Sequence, residues 1–191
     1  MGVGGARIEW LKLSAKKFCF HLVAECIAWR SSLFMTDVAP STPKAPRPDT
    51  GGILYDLPSP YLPHPVFGLL HLPRFIGKIR KHLAGALPPS YQRNFTKGFD
   101  GFLCLHLGID PQAVIVLVKE SKSEEELVAQ LKVLLPKDVK AAKWNRQVVQ
   151  MGMSEMGREA LQATKKKMAI EHRDDLRSFA DLIEYDEERL G

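Results

Sequence analysis

Leu72-Pro73-Arg74-Phe75-Ile76-Gly77-Lys78-Ile79-Arg80-Lys81-His82-Leu83 is the stretch on which the reading of the whole chain turns. Leu72, Phe75, Ile76, Ile79 and Leu83 recur at i, i+3, i+4, i+7 and i+11, which places them on one face of a helix. Pro73 suits a first helical turn, where its missing amide hydrogen has no partner to lose, and Gly85 suits the stop. Arg74, Lys78 and Lys81 form a second, cationic stripe at i, i+4 and i+7, with Arg80 and His82 beside it.

Toward the C-terminus the same period continues. Phe95, Phe99, Phe102, Leu103 and His106 make another apolar stripe, which Gly108 ends. Asp110-Pro111 reads as an N-cap followed by proline at the first helical position, ahead of Val114, Ile115 and Val118. Ser123 with Glu126 has the spacing of a capping box before Leu127, Val128, Leu131, Leu134 and Leu135. After Pro136, Trp144, Val148 and Met151 repeat at i, i+4 and i+7. A last helix starts near Ser154, bends or breaks, and ends in the apolar face of Leu176, Phe179, Ala180 and Ile183. Strand signals are sparse. The expected fold is mainly α, a small single helical domain over residues 56–191 with about six helices.

Toward the N-terminus the pattern dissolves into prolines, eight of them in residues 36–65. Proline fixes φ and removes a donor, so this stretch is expected to be extended, with residues 35–55 a Pro-rich disordered linker. Residues 1–34 stand apart. Arg7, Lys12, Lys16 and Lys17 precede a short apolar run in the manner of a leader, but His21 and Glu25 interrupt it. Met35 opens the polar, Pro-rich stretch and is the favoured start, which makes 1–34 a non-native or leader extension.

Charge is unevenly placed along the 191 residues, whose net is +5. Residues 68–100 hold six bases and one acid, Asp100, whereas residues 170–191 hold eight acids and three bases, a local −5. Blocks of opposite sign favour pairing within the chain over binding nucleic acid, so a protein partner ranks ahead of a nucleic acid. Three readings of the Arg74, Lys78 and Lys81 stripe compete: a solvated face, pairing with the acidic C-terminal helix through Asp174, Asp181 or Glu184, and a phosphate surface. Glu171, Asp174, Asp181 and Glu188 fall along one face of a continuous C-terminal helix, and with His172 they invite a metal reading. A solvated acidic face is the plainer account, and no metal ligand is assigned.

Cys19, Cys26 and Cys104 are odd in number and lack CxxC spacing, which argues against disulfide frameworks and thiolate zinc and for a reducing, cytoplasmic setting. No run approaches the ~20 apolar residues that cross a bilayer. Cys104 and His106 are two apart on a helix, on different faces, and cannot pair as nucleophile and base; both are expected to face the core. Gly108-Ile109-Asp110 has the look of a DNA-binding hairpin, but the Asp110 carboxylate stands where phosphate would approach. With no glycine-rich nucleotide loop, HExxH or GxSxG present, no catalytic residue and no cofactor is assigned. The favoured function is a non-catalytic helical module that binds another macromolecule; the alternative is an enzyme whose site is built from residues scattered in sequence.

A set of ordered marks adds a family. Asp56-Leu57, Leu72-Pro73-Arg74, Lys78, Arg80 and Leu83-Ala84-Gly85 are followed by Tyr91, Asn94, Phe102-Leu103 and Gly108-Ile109-Asp110. Trp144-Asn145, Arg173-Asp174-Asp175-Leu176, Phe179, Asp181-Leu182 and Asp186 complete them. In this order the chain resembles, over residues 56–191, a bacterial family catalogued as domain of unknown function 5069. Two positions depart from the family pattern. Gly77 stands where an acidic residue precedes the matched lysine, and Asn94-Phe95-Thr96-Lys97-Gly98 replaces an Asn-Cys-Pro-Leu-Asp run. The resemblance implies the extent of the domain and carries no activity. If residues 1–34 stand outside the domain, deleting them should shift the thermal midpoint by no more than a small increment, readable by circular dichroism.

Overall fold

The computed structural model describes residues 52–190, so the segment 1–34 and most of the expected linker lie outside the described residues. Among the described residues eight helices form in chain order: α1 (Leu72–Leu83), α2 (Pro89–Gln92), α3 (Gly98–Leu107), α4 (Pro111–Glu120), α5 (Glu124–Leu134), α6 (Ala141–Gln150), α7 (Glu155–Lys167) and α8 (Phe179–Asp186). Among the described residues there is no strand, only an isolated antiparallel bridge between Pro63 and Leu70. The domain is mainly α, as its periodicity predicts. Two details raise the number of helices above six. A single turn, α2, follows Pro88, and the C-terminal segment is two helices rather than one. Ala169 takes a left-handed φ of 55° just past α7, which turns the chain away before α8. Glu171 and Asp174 therefore lie in a loop and Glu188 lies past the end of α8, so none of them shares a helix face with Asp181. Arg173 fastens that loop, pairing with Asp175 at 2.8 Å and lying 4.8 Å over the Tyr185 ring.

The helix starts follow their capping residues. Asp110 accepts the Gln112 N–H at 2.9 Å, and Ser154 accepts that of Gly157 at 3.2 Å. Ser123 accepts the Glu126 N–H, but the Glu126 carboxylate takes the Lys122 amide, one residue earlier than a full box requires. The complete reciprocal box belongs to Ser178 and Asp181, at the start of α8.

α1 packs against both α3 and α4, which also pack on each other, and its Phe75 and Ile79 are wholly buried. α4 packs on α5, and α3 on α6, so that Leu103, Val114, Leu131 and Val148 close one core around it. Leu83, expected on the buried stripe, is exposed in the last turn of α1. A smaller core of Leu161, Ile170, Leu176 and Leu182 holds α7, α8 and their loop. Phe179 packs against both cores.

The entry into α1 is built by tertiary contacts. Trp144, 1% exposed, donates its indole N–H to the Leu70 carbonyl at 2.8 Å. Asn145 next to it clamps the same turn twice, accepting the Leu70 N–H at 2.9 Å and donating to the Gly68 carbonyl at 2.8 Å. These three bonds hold the turn that ends at His71, whose φ is 67°. Asn145→Ala leaves a partly buried amide and carbonyl without partners, a loss of about 1–3 kcal/mol. Urea unfolding should show that loss with an unchanged m-value.

Candidate functional site

α1 carries His71 as its N-cap and then Arg74 and Lys78, all three inside the protein at 1%, 3% and 8% exposure. A non-glycine residue with positive φ costs on the order of 1 kcal/mol or more, and it persists only where surrounding contacts over-determine it. At His71 those contacts are the Trp144 and Asn145 bonds to the turn and a bond from the imidazole to Asp100, with Nε2 2.8 Å from Oδ1. Asp100 lies in the first turn of α3 and has no solvent exposure. Its carboxylate also receives Lys78 Nζ at 2.5 Å and the Thr96 N–H at 3.3 Å.

Burial alone would push the Asp100 carboxyl up, but the Lys78 ammonium and the His71 N–H outweigh it and hold the group below its usual value. Burial likewise pulls Lys78 down, against the pull of Asp100. His71 is drawn down to about 4 because burial disfavours the imidazolium more than Asp100 supports it. At neutral pH the His71 imidazole is therefore neutral, beside the salt bridge of Lys78 and Asp100. A carboxylate can only accept, so Nε2 carries the His71 hydrogen and Nδ1 is left a lone-pair acceptor. Nδ1 is the one buried side-chain polar atom without a hydrogen-bond partner among the described residues.

A second charged network starts one turn earlier on α1. Arg74 forks onto Glu187, just past α8, and donates from Nη1 to the Pro58 carbonyl at 3.0 Å. Glu187 also accepts the Tyr91 hydroxyl at 2.7 Å and the Arg189 guanidinium. Burial would raise the Glu187 carboxyl, and Arg74 with Tyr91 holds it down instead.

Beside both networks lies a partly open, mostly apolar cavity of about 120 Å³. His71, Arg74 and Lys78 line one end; Phe99, Phe102, Met151, Met168, Phe179 and Ile183 supply the walls. It thus sits where the large core meets the small one, with α1, α3, α7 and α8 each contributing.

The candidate residues named from sequence are dispersed by this arrangement. Arg74 and Lys78 are interior, paired with Glu187 and Asp100, while half-buried Lys81 pairs with Asp56 near the domain's start. Helix α1 does close onto the acidic C-terminal segment, through Glu187 rather than Asp174, Asp181 or Glu184. Asp174 is exposed in the α7–α8 loop, and Asp181 caps α8 and accepts the Tyr61 hydroxyl. Cys104 is buried with its thiol pushed up to about 12 by desolvation, a poor nucleophile. His106 is half-buried, its ring 5.6 Å from Trp144. Among the described residues no three His, Cys, Asp or Glu are arranged to hold a metal ion. His71 and Asp100 belong to no motif and are passed over by spacing alone. One signal does point to Asp100: it is the single acid in a block of six bases, and Phe99 and Leu103 set it on an apolar helix.

A histidine whose folded pKa is depressed to about 4 binds fewer protons folded than unfolded between that value and its ordinary 6.5. Stability should therefore be complete above pH 6.5 and fall as pH drops toward 4, by roughly 2–3 kcal/mol at pH 4.5. His64, also lowered by burial, adds a slope of the same sign, so the comparison must be with His71→Asn. The gap between wild type and variant in denaturant unfolding should shrink by that amount from pH 7 to pH 4.5; a constant gap would contradict the neutral buried imidazole.

No curated protein and no solved structure matches the chain. A family model described as a domain of unknown function matches residues 59–189, which takes in both charged networks and every wall of the cavity. The chain belongs to the DUF5069 family.

Proposed function

We propose that the domain binds a small molecule in the cavity where its large core meets the core of Leu161, Ile170, Leu176 and Leu182, at the end lined by His71, Arg74 and Lys78. One observation carries this reading: a partly open, mostly apolar cavity that has a strained, buried histidine and two internally paired bases at one end. Buried polar atoms are nearly always satisfied, and those that are not, like strained backbones, collect at functional sites. An apolar cavity with a few polar groups at one end is the usual form of a small-molecule site. This reading takes precedence over a macromolecule-binding module, because two of the three cations that suggested a charged docking face are spent on internal pairs.

Binding is favoured over catalysis by the strength of the base. A general base works best with a pKa near the working pH. An imidazole drawn down to about 4 is a weak proton acceptor but a permanent hydrogen-bond acceptor. The Asp100–His71 pair would orient it, as an orienting carboxylate does in a catalytic dyad, and that is what favours the enzymatic alternative. The two separate on whether a bound ligand is recovered chemically unchanged.

Among the described residues no single helix is long and apolar enough to cross a membrane. We place the domain in the cytoplasm, a reading supported by its free buried thiol, Cys104. Residues 1–34 and 35–55 we read as an extension and a linker.

The test is a fragment screen by thermal shift. A ligand at 100 times its Kd stabilises by about 3 kcal/mol. Hits should raise the midpoint of the wild type and leave that of Phe102→Trp, which fills the cavity, unmoved. Hits that stabilise both proteins equally would place binding elsewhere.

A further inference from the structure

The class of ligand can be narrowed from the polar groups that border the cavity; this rests on the reading of the cavity as a small-molecule site. Most of those groups are spent within the protein. Arg74 is matched by Glu187 and Lys78 by Asp100, both pairs almost without exposure. The Tyr91 hydroxyl donates to Glu187 and accepts the Leu54 N–H. Lys97 and Asp186 are opposite in sign, and each has interactions of its own. His71 is bonded through Nε2 to Asp100, and its Nδ1 is sealed from solvent. A charged ligand would therefore add an unmatched charge beside a largely apolar wall, at high cost in desolvation.

Two lining side chains keep unspent capacity, Asn94 and Thr164. Asn94 stands half-buried between α2 and α3. Its backbone is used, the N–H donating to the Tyr91 carbonyl and the carbonyl accepting from Lys97. Its side-chain amide has no hydrogen-bond partner among the described residues. Neither amide atom is sealed, since His71 Nδ1 is the one buried side-chain polar atom without a partner there. The border of the cavity thus carries an open acceptor and two open donors on one planar group. Thr164, also half-buried, donates its hydroxyl to the Ala160 carbonyl at 2.8 Å, so toward a ligand it can only accept.

Size sets the remaining limit. An apolar cavity of roughly 150 Å³ accommodates benzene, so about 120 Å³ admits a single ring or a short branched chain. The walls suit a ring, being formed by Phe99, Phe102 and Phe179 and the adaptable thioethers Met151 and Met168.

We infer that the ligand is a neutral carboxamide about one ring in size, recognised by the side-chain amide of Asn94. A carboxamide presents an acceptor and a donor side by side, as Asn94 does, so the two can meet in a pair of N–H···O bonds. A hydroxyl meets one of the two at a time. A carboxylate brings a charge and no donor, and Thr164 disfavours it further. Asn94 then sets specificity, because an isostere without the amide covers its donor and acceptor and leaves both unpaired.

Benzamide, benzoate and isopropylbenzene share one shape and differ in the group at issue. Methyl-labelled Met151 and Met168, both on the cavity wall, report their binding by NMR. Benzamide should shift both methyls and bind at least about tenfold more tightly than either of the others. Asn94→Leu keeps the size of the side chain and removes no bond within the described fold. In that variant benzamide should fall to the level of isopropylbenzene, whose own affinity should not change. Should it fold poorly, Asn94→Asp serves as the second variant; it loses the donors, and benzamide should weaken in it likewise. Benzamide binding no more tightly than isopropylbenzene, or unchanged in Asn94→Leu, would overturn the carboxamide assignment and leave the small-molecule site standing. Benzoate binding more tightly than benzamide, with the same methyls shifted, would do the same. If no probe moves either methyl at millimolar concentration, the inference and the reading beneath it both fall.

Discussion

The Asp100 carboxylate is the constraint on which this domain is organised. It has no exposure, so it must be compensated from within, and each of its partners is delivered by a different piece of chain. Lys78 comes from the middle of α1, His71 from the turn before it, and the Thr96 amide from the segment leading into α3. The N-terminal turn of α3 adds its own favourable field, since carboxylates are stabilised there. A buried ion pair of this kind is weak as a source of stability compared with an apolar replacement, but its geometry is demanding. Meeting it fixes the rotation of α1 against α3. It also forces two bases onto the interior side of a helix whose apolar residues would have sufficed to bury it.

That rotation explains why the fold was legible from sequence and the site was not. Helical period, capping serines and the Asp110-Pro111 start are local signals, and each reports on residues within a turn or two of itself. The stripe of Leu72, Phe75, Ile76 and Ile79 identified α1 correctly because burial and periodicity agree there. The same helix presents Arg74 and Lys78 at a spacing that looks solvated, and only partners 22 and 113 residues away turn it inward. Nothing within α1 encodes those partners. The C-terminal segment failed differently: its carboxylates fit one helix face by number, while the left-handed Ala169 broke the register that the spacing assumed.

His71 shows the limit most clearly. Histidine before a leucine and a proline carries no particular expectation, and its importance comes from a backbone conformation imposed from elsewhere. The Trp144-Asn145 pair, more than seventy residues on, ties down the peptide groups around Gly68 and Leu70. The strain at His71 is thus supported by α6, which itself does little to line the cavity beyond Met151 at its end. The support comes from one helix and the strained residue stands before another, an arrangement invisible to spacing.

The clasp between Arg74 and Glu187 has a consequence for the order in which the protein becomes itself. Glu187 lies 113 residues after its partner and is shared with Tyr91 and Arg189, so the last turn of chain seals the first helix. Contacts so distant in sequence form late, after the loops between them have been closed. During synthesis the large core, which runs from Leu69 to Val148 apart from Ala180, is nearly complete in sequence before the walls contributed by Met168, Phe179 and Ile183 have been made. A nascent or C-terminally truncated chain would thus present Arg74 as an uncompensated cation beside an unroofed apolar cleft. Quality control could recognise such a surface, and only the completed chain conceals it.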